Sequence, residues 1–151
     1  MCCNTIILLP HIMSKQQKND MKDVEFVQYT DESMLPEIQK LVQADLSEPY
    51  SVFVYRYFIH QWPELCICIY ALDPTGKRGD MIGTIVCKAE EEQGVMRGYI
   101  AMLAVNTVYR GRGLGVELAN RGIRAMITHH KCTEIMLETE ECNTGVYRVT
   151  L

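Results

Sequence analysis

A mixed α/β domain, one sheet with helices on its faces, is the fold class this sequence predicts, and three features predict it. Apolar, strand-like runs over 65–72, 81–89 and 95–105 are separated by turn residues, Asp73-Pro74-Thr75-Gly76 and the stretch 90–94. Two hairpins in succession make an antiparallel meander. After Val105 come a glycine-rich loop, a helix and a short strand, and a crossover of that kind makes the last strand pair parallel. The chain has 151 residues, enough for one domain, and is 48% hydrophobic, enough to bury a core.

Taken in order, the first stretch is read as a tail. Ile6 to Leu9 is too short an apolar run for a signal peptide and has neither a basic leader nor a small-residue cleavage site. The polar stretch Ser14 to Asp20 follows, so residues 1–22 are expected to be a disordered tail, with Met13 or Met21 as alternative starts. The domain is then 23–151, organised from near Val24. Met34, Leu35, Ile38, Leu41, Val42 and Leu46 recur at helical spacing, with Asp31 or Ser33 as N-cap and Pro36 in the first turn. Ser51 to His60 reads both ways, because Val52, Val54, Tyr55 and Phe58 also favour strands. Beyond the loop 106–113, Leu114, Leu118, Ala119, Ile123, Met126 and Ile127 mark one helix face, and Ile135-Met136-Leu137 is a short strand ending at Glu138.

Composition removes several classes of function. A net charge of −4 argues against a nucleic-acid binder, and no run approaches the roughly 20 apolar residues of a membrane span. Seven cysteines, none in a Cys-x-x-Cys pair and several inside apolar runs, fit buried thiols of a reducing compartment. Neither a disulfide framework nor a metal site is expected. His11, His60, His129 and His130 match no ligand spacing, and Trp62 is read as core.

The chemistry centres on Arg110-Gly111-Arg112-Gly113-Leu114-Gly115, a loop that opens a helix. Unpaired N–H groups of a first helical turn converge on one point, the helix dipole adds positive charge, and glycines let the backbone come close. A phosphate or pyrophosphate is the matching guest, with Arg110 and Arg112 available for added charge. A nucleotide P-loop is excluded, since the chain has no Gly-x-x-x-x-Gly-Lys-Ser/Thr. A dinucleotide fingerprint fits Gly111 and Gly113, and Glu138 lies about where a ribose-binding acid belongs. It fails because Val116 holds the third glycine position and the strand ends too early.

The third signature, Arg/Gln-x-x-Gly-x-Gly/Ala, is met by Arg110, Gly113 and Gly115 and resembles the pyrophosphate loop of the GNAT acetyltransferase superfamily. A narrower resemblance lies in Asp45 to Ser51, Tyr55 to Phe58, Gln61 to Leu65, Ile85 to Lys88, Arg97 to Ile100 and Leu137 to Glu140. These strings, in this order from about Val24 to Asn143, are similar to the catalytic subunit of the NatC N-terminal acetyltransferase. The resemblance implies the GNAT acyl-CoA N-acyltransferase fold and makes 51–60 a helix. It also implies acetyl transfer from acetyl-CoA, without a metal, to the α-amine of proteins that begin with Met and a hydrophobic residue. The partners it implies are nascent N-termini, the auxiliary NatC subunits and the ribosome, in the cytoplasm, with no direct nucleic acid and no membrane.

Residue by residue, the resemblance makes Glu48 and Glu138 the acid/base carboxylates, with Glu140 a competitor on the same strand face as Glu138. Leu103, Ala104 and Val105 lend backbone groups to the pantetheine arm. Arg110, Gly111, Arg112, Gly113, Leu114 and Gly115 hold the pyrophosphate, and Asn143 sits near the cofactor. Leu46, Glu48, Tyr50 and Tyr99 contact the peptide. The departure comes after Asn143, where the family continues into a helix carrying Leu-Tyr-Glu-x-x-Gly-Phe and two more strands. This sequence reads Thr144 to Leu151 instead. The helix tyrosine that would protonate the thiolate has no aligned counterpart, and Tyr147 lies three places too early. The expectation is therefore a C-terminally truncated domain whose last parallel strand keeps an unpaired edge. The alternative function that follows is a non-catalytic fragment retaining acetyl-CoA or partner binding.

Overall fold

The computed structural model describes residues 3–8, 21–44 and 49–140, with the backbone alone at 3–8 and 138–140. Six strands form one sheet: β1 (Cys3–Leu8), β2 (Val24–Gln28), β3 (Cys66–Leu72), β4 (Arg78–Glu92), β5 (Val95–Val105) and β6 (Glu134–Glu140). Their spatial order is β1-β6-β5-β4-β3-β2. β5 and β6 are parallel, and every other neighbouring pair is antiparallel. Three helices complete the described fold: α1 (Leu35–Gln43), α2 (Val52–Gln61) and α3 (Leu114–His130).

Local chemistry explains each boundary. Asp31 is the cap that starts the α1 region, its carboxylate accepting from the Ser33 N–H at 2.9 Å ahead of a 3₁₀ turn over Glu32–Met34. Ser51 caps α2, with Oγ accepting from the Phe53 N–H at 3.3 Å, and Tyr55 and Ile59 are buried one helical turn apart. The β-branched content of this segment therefore yields to a cap and a 3.6-residue period. The β4–β5 hairpin turns on Gln93 (φ 52°) and Gly94 (φ 80°), a pair of left-handed residues whose twist suits two-residue hairpins. At the β3–β4 connection the Asp73 carboxylate accepts from the Thr75 N–H at 2.8 Å and the Lys77 N–H at 2.9 Å.

The sheet is buried on both faces. Leu118 and Met126 of α3 share one core with Ile85, Cys87, Ile100 and Ile135 of the sheet; Ile38 of α1 and Tyr55 and Ile59 of α2 share the other with Cys66, Val86 and Met102. Each such side chain contributes about 1.5–3 kcal/mol of burial. Cys66, Cys68, Cys87 and Cys132 are buried free thiols, in keeping with the expectation that several of the cysteines are buried.

Two expectations need correction. Residues 1–22 are not wholly a tail: Cys3–Leu8 is a strand paired with β6, and Met21 packs against the core. The same pairing covers the edge of β6 that was expected to stay open. Its register runs from Cys3↔Glu140 to Leu8↔Ile135, so partners more than a hundred residues apart in sequence make the strand. Smaller differences concern β2, which the sequence reading leaves unassigned, β4, which outruns 81–89 at both ends, and α1, which stops at Gln43.

Candidate active site at a split between parallel strands

The site begins with one extra residue. Along the β4–β5 ladder Val86 faces Met102 but Cys87 faces Ile100, leaving Ala101 without a partner. A bulge of this kind bends its strand and increases the local twist. The parallel ladder between β5 and β6 runs from Arg97↔Glu134 only to Ile100↔Leu137, ending at the residue before the bulge. β5 then follows β4 as far as Gly83↔Val105, while β6 follows β1 as far as Cys3↔Glu140. The two strands diverge, and the edge of β5 over 101–105 faces a gap. Leu103, Ala104 and Val105 line this edge, and Glu138 is the first residue of β6 past the last pair. Backbone donors and acceptors along such a gap need partners, and a ligand that carries amide groups supplies them.

The glycine loop sits at the open end of the gap. Asn106 fixes the exit from β5: its N–H donates to the Ile82 carbonyl at 2.8 Å, and its Oδ1 accepts from the Val108 N–H at 3.0 Å. Arg110 Nε donates to the Val105 carbonyl at 2.9 Å, which ties the loop back to the strand end. Gly111 and Gly113 both adopt φ 80°, a left-handed conformation that side chains resist. Gly113 caps α3 without a side-chain hydrogen bond, so the first N–H groups of a 17-residue helix point outward. At Gly115 an added Cβ would meet only Val105 Cγ2, at 3.8 Å. This cradle fits a phosphate group: donors converge, the helix dipole favours an anion, and no side chain fills the space. Leu114 is buried in the core, so its contribution to the cradle is its backbone N–H. Arg112, at the edge of the cradle, pairs with Asp23 (Nη2–Oδ1 2.6 Å), and its guanidinium holds the Asp23 carboxyl below the usual carboxylate range.

On the α1–α2 side of the sheet the expected peptide residues are only partly brought together. Tyr50 is half exposed and packs edge-on against the Tyr55 ring at 6.1 Å between centroids. Tyr99 donates its hydroxyl to Glu92 at 2.5 Å, and Lys88 Nζ lies 4.9 Å from its ring centre. Burial, then the Glu92 hydrogen bond and charge, push the Tyr99 phenol up to about 12. Leu46, Glu48 and Asn143 lie outside the described residues. Sequence reasoning missed Asp23, Glu92 and the Ala101 bulge, since each depends on strand register rather than on a local motif.

A bulge parts two parallel strands and a cradle suited to a phosphate lies at the mouth; the chain belongs to the acetyltransferase (GNAT) family, whose model matches residues 35–150. Within the family it is similar to N-alpha-acetyltransferase MAK3 of Arabidopsis thaliana, 44% identical over 133 residues, which are 88% of this chain and 66% of that protein. It is also similar to N-alpha-acetyltransferase 30 of Homo sapiens, 42% identical over 129 residues, 85% of this chain and 34% of that protein. The chain thus spans from about a third to about two thirds of the length of these two curated relatives. A chain in the crystal structure of the NatC complex bound to Gag peptide and CoA superposes with TM-score 0.77 at 42% identity, covering 84% of this chain and 80% of that one. Among the described residues no helix is long and apolar enough to cross a membrane.

Proposed function

We propose that this chain transfers acetyl from acetyl-CoA to the N-terminal α-amine of proteins beginning with Met and a hydrophobic residue, as the catalytic subunit of a NatC-type assembly. The observation that carries the reading is the bulge-driven parting of β5 from β6 directly above the glycine cradle. Its narrower form is supported by 42–44% identity to proteins named N-alpha-acetyltransferase 30 and MAK3. Auxiliary subunits and action beside the ribosome in the cytoplasm belong to the same proposal, supported by likeness to a chain of the NatC complex.

In this reading Gly111, Gly113, Leu114 and Gly115 hold the pyrophosphate through backbone N–H groups, while Arg110 braces the loop on Val105. The backbone of Leu103, Ala104 and Val105 holds the pantetheine amides, with Asn143 nearby. When bound, the cofactor supplies the activated thioester. An α-amine of pKa ~8 is partly protonated at neutral pH and must lose a proton to attack. Glu138, in the mouth of the split, and Glu48, in the α1–α2 connection, are the carboxylates assigned to that proton, directly or through water. Leu46, Tyr50 and Tyr99 grip the first residues of the peptide.

A thiol-release assay with acetyl-CoA and a Met-Leu peptide tests the reading. Turnover that falls on the order of 10²–10⁴-fold in Glu138→Gln supports it. Cofactor-dependent thermal stabilisation without turnover overturns catalysis and leaves a binding fragment. Equal turnover of wild type and Glu138→Gln overturns the assignment of the base.

A further inference from the structure

β1 has no role in the reading above, yet the last residues of β6 are paired with it. The β5–β6 ladder ends at Ile100↔Leu137, while the β1–β6 ladder continues through Thr5↔Glu138, Asn4↔Thr139 and Cys3↔Glu140. Among the described residues, Glu138, Thr139 and Glu140 therefore have a strand on one side only, and that strand is β1. Backbone N–H and C=O groups need partners, and here β1 supplies them. We infer that β1 is a positioning strand for the reaction: by pairing with residues 138–140 it fixes the backbone that carries Glu138 at the split. The inference rests on the acetyl-transfer reading for the task of Glu138 and deepens it, since the support of that residue comes from the far end of the sequence.

Register carries the case. β1 joins an uncharged Cys3-Asn4-Thr5 to an apolar Ile6-Ile7-Leu8, and β6 is divided at the same place. Ile6, Ile7 and Leu8 stand opposite Leu137, Met136 and Ile135; Thr5, Asn4 and Cys3 stand opposite Glu138, Thr139 and Glu140. No charge on β1 stands opposite either carboxylate, and like charges directly opposite would weaken the pair. A one-residue slip would set Ile6 opposite Glu138, or Thr5 opposite Leu137, and would exchange the two faces of the strand. The division of β6 falls between Leu137 and Glu138, where β5 leaves it. The apolar half of β1 thus backs the part of β6 that β5 also holds, and the uncharged polar half backs the part that β5 does not.

In the sheet β1 neighbours β6 alone. The glycine cradle hangs instead on the end of β5, through Arg110, and on the start of α3. Loss of β1 pairing should therefore act on the activation of the amine and spare cofactor binding.

Prolines at two neighbouring positions of the full chain, Thr5→Pro and Ile6→Pro, test this. N–H groups along an edge strand alternate between its neighbour and the outside, so one proline removes a donor to β6 and the other does not. Hydrogen–deuterium exchange at 138–140 should quicken about tenfold or more in one variant and keep the wild-type rate in the other. Amides of 134–137 that pair with β5 should stay slow in both. With acetyl-CoA and a Met-Leu peptide, the disrupting variant should lose kcat on the order of 10²-fold, the scale of a 1 Å misplacement, with the acetyl-CoA KM within about twofold. In the Glu138→Gln background the same proline should add nothing, because β1 acts through Glu138. Unchanged or equally fast exchange in both variants contradicts the pairing. Fast exchange with wild-type kcat, or an equal loss of kcat in both backgrounds, overturns the positioning role. If the wild type shows no turnover, the acetyl-transfer reading fails by itself, and the exchange rates alone decide whether β1 holds 138–140.

Discussion

The face of the sheet under α3 and the face under α1 and α2 are both buried, but they are filled with different chemistry. Under α3 the contacts are aliphatic and close. A Cβ at Gly122 would lie 2.9 Å from Ile85 Cδ1, and one at Gly83 would lie 3.1 Å from Ile69 Cδ1 and 3.3 Å from Leu118 Cδ1. Under α1 and α2 the buried set includes Tyr29, Tyr55, Tyr70, Cys66, Cys68 and Thr84. Thr84 Oγ1 donates to the Ile67 carbonyl at 3.3 Å, and the Glu37 carboxylate accepts from the Met81 N–H at 3.1 Å. Burial pushes the Tyr70 phenol up to about 12. The dry face anchors the helix whose N-terminus forms the phosphate cradle. The polar face carries Tyr50, Tyr99 and the connection assigned to the peptide. Rigid support and adaptable recognition are thus divided between the two sides of one sheet.

The division can be broken most forcefully on the dry side. Leu118→Ala empties a fully buried site between α3 and the sheet and should cost about 2–5 kcal/mol, read as a lower Tm in thermal unfolding, with peptide KM unchanged below the transition. Gly113→Ala puts a side chain at φ 80° and should cost about 1–2 kcal/mol. Its larger effect falls on the cradle: acetyl-CoA affinity by calorimetry should drop by more than the peptide KM rises.

Acid sharpens the polar rim. Hydrogen bonds from Thr75, then from Lys77, hold the Asp73 carboxyl below its ordinary value, and Tyr99 and Arg97 do the same for Glu92. A depressed carboxylate contributes stability that is present above its unfolded pKa and lost as pH falls through the folded one. Denaturation midpoints should therefore stay level down to about pH 4.5 and then fall, with Asp73→Asn flattening the acid limb. Smallest of all is Asp23→Asn, an exposed partner of Arg112. Its Tm should stay at the wild-type value, while acetyl-CoA affinity rises by about twofold as Arg112 loses its neutralising carboxylate.

Legibility in the sequence follows from how local each device is. β3 and β5 are readable because each is an apolar run next to turn residues, and α3 because its buried residues recur at helical spacing. The cradle is readable because left-handed φ at Gly111 and Gly113 demands glycine. β1 is unreadable because its pairing with β6 is purely tertiary, and β2 is a five-residue edge strand. The Ala101 bulge lies in an unbroken apolar run, with no glycine or proline to mark it. The Asp23–Arg112 and Glu92–Tyr99 pairs require knowing which strand ends meet.

The central claim is that the split and the cradle present acetyl-CoA to an N-terminal amine. Tandem mass spectrometry of a Met-Leu peptide with an internal lysine, incubated with the chain and acetyl-CoA, tests it most directly. The account predicts an acetyl group on the α-amine and none on the lysine. Acetylation of the lysine alone, or an unmodified peptide, contradicts it.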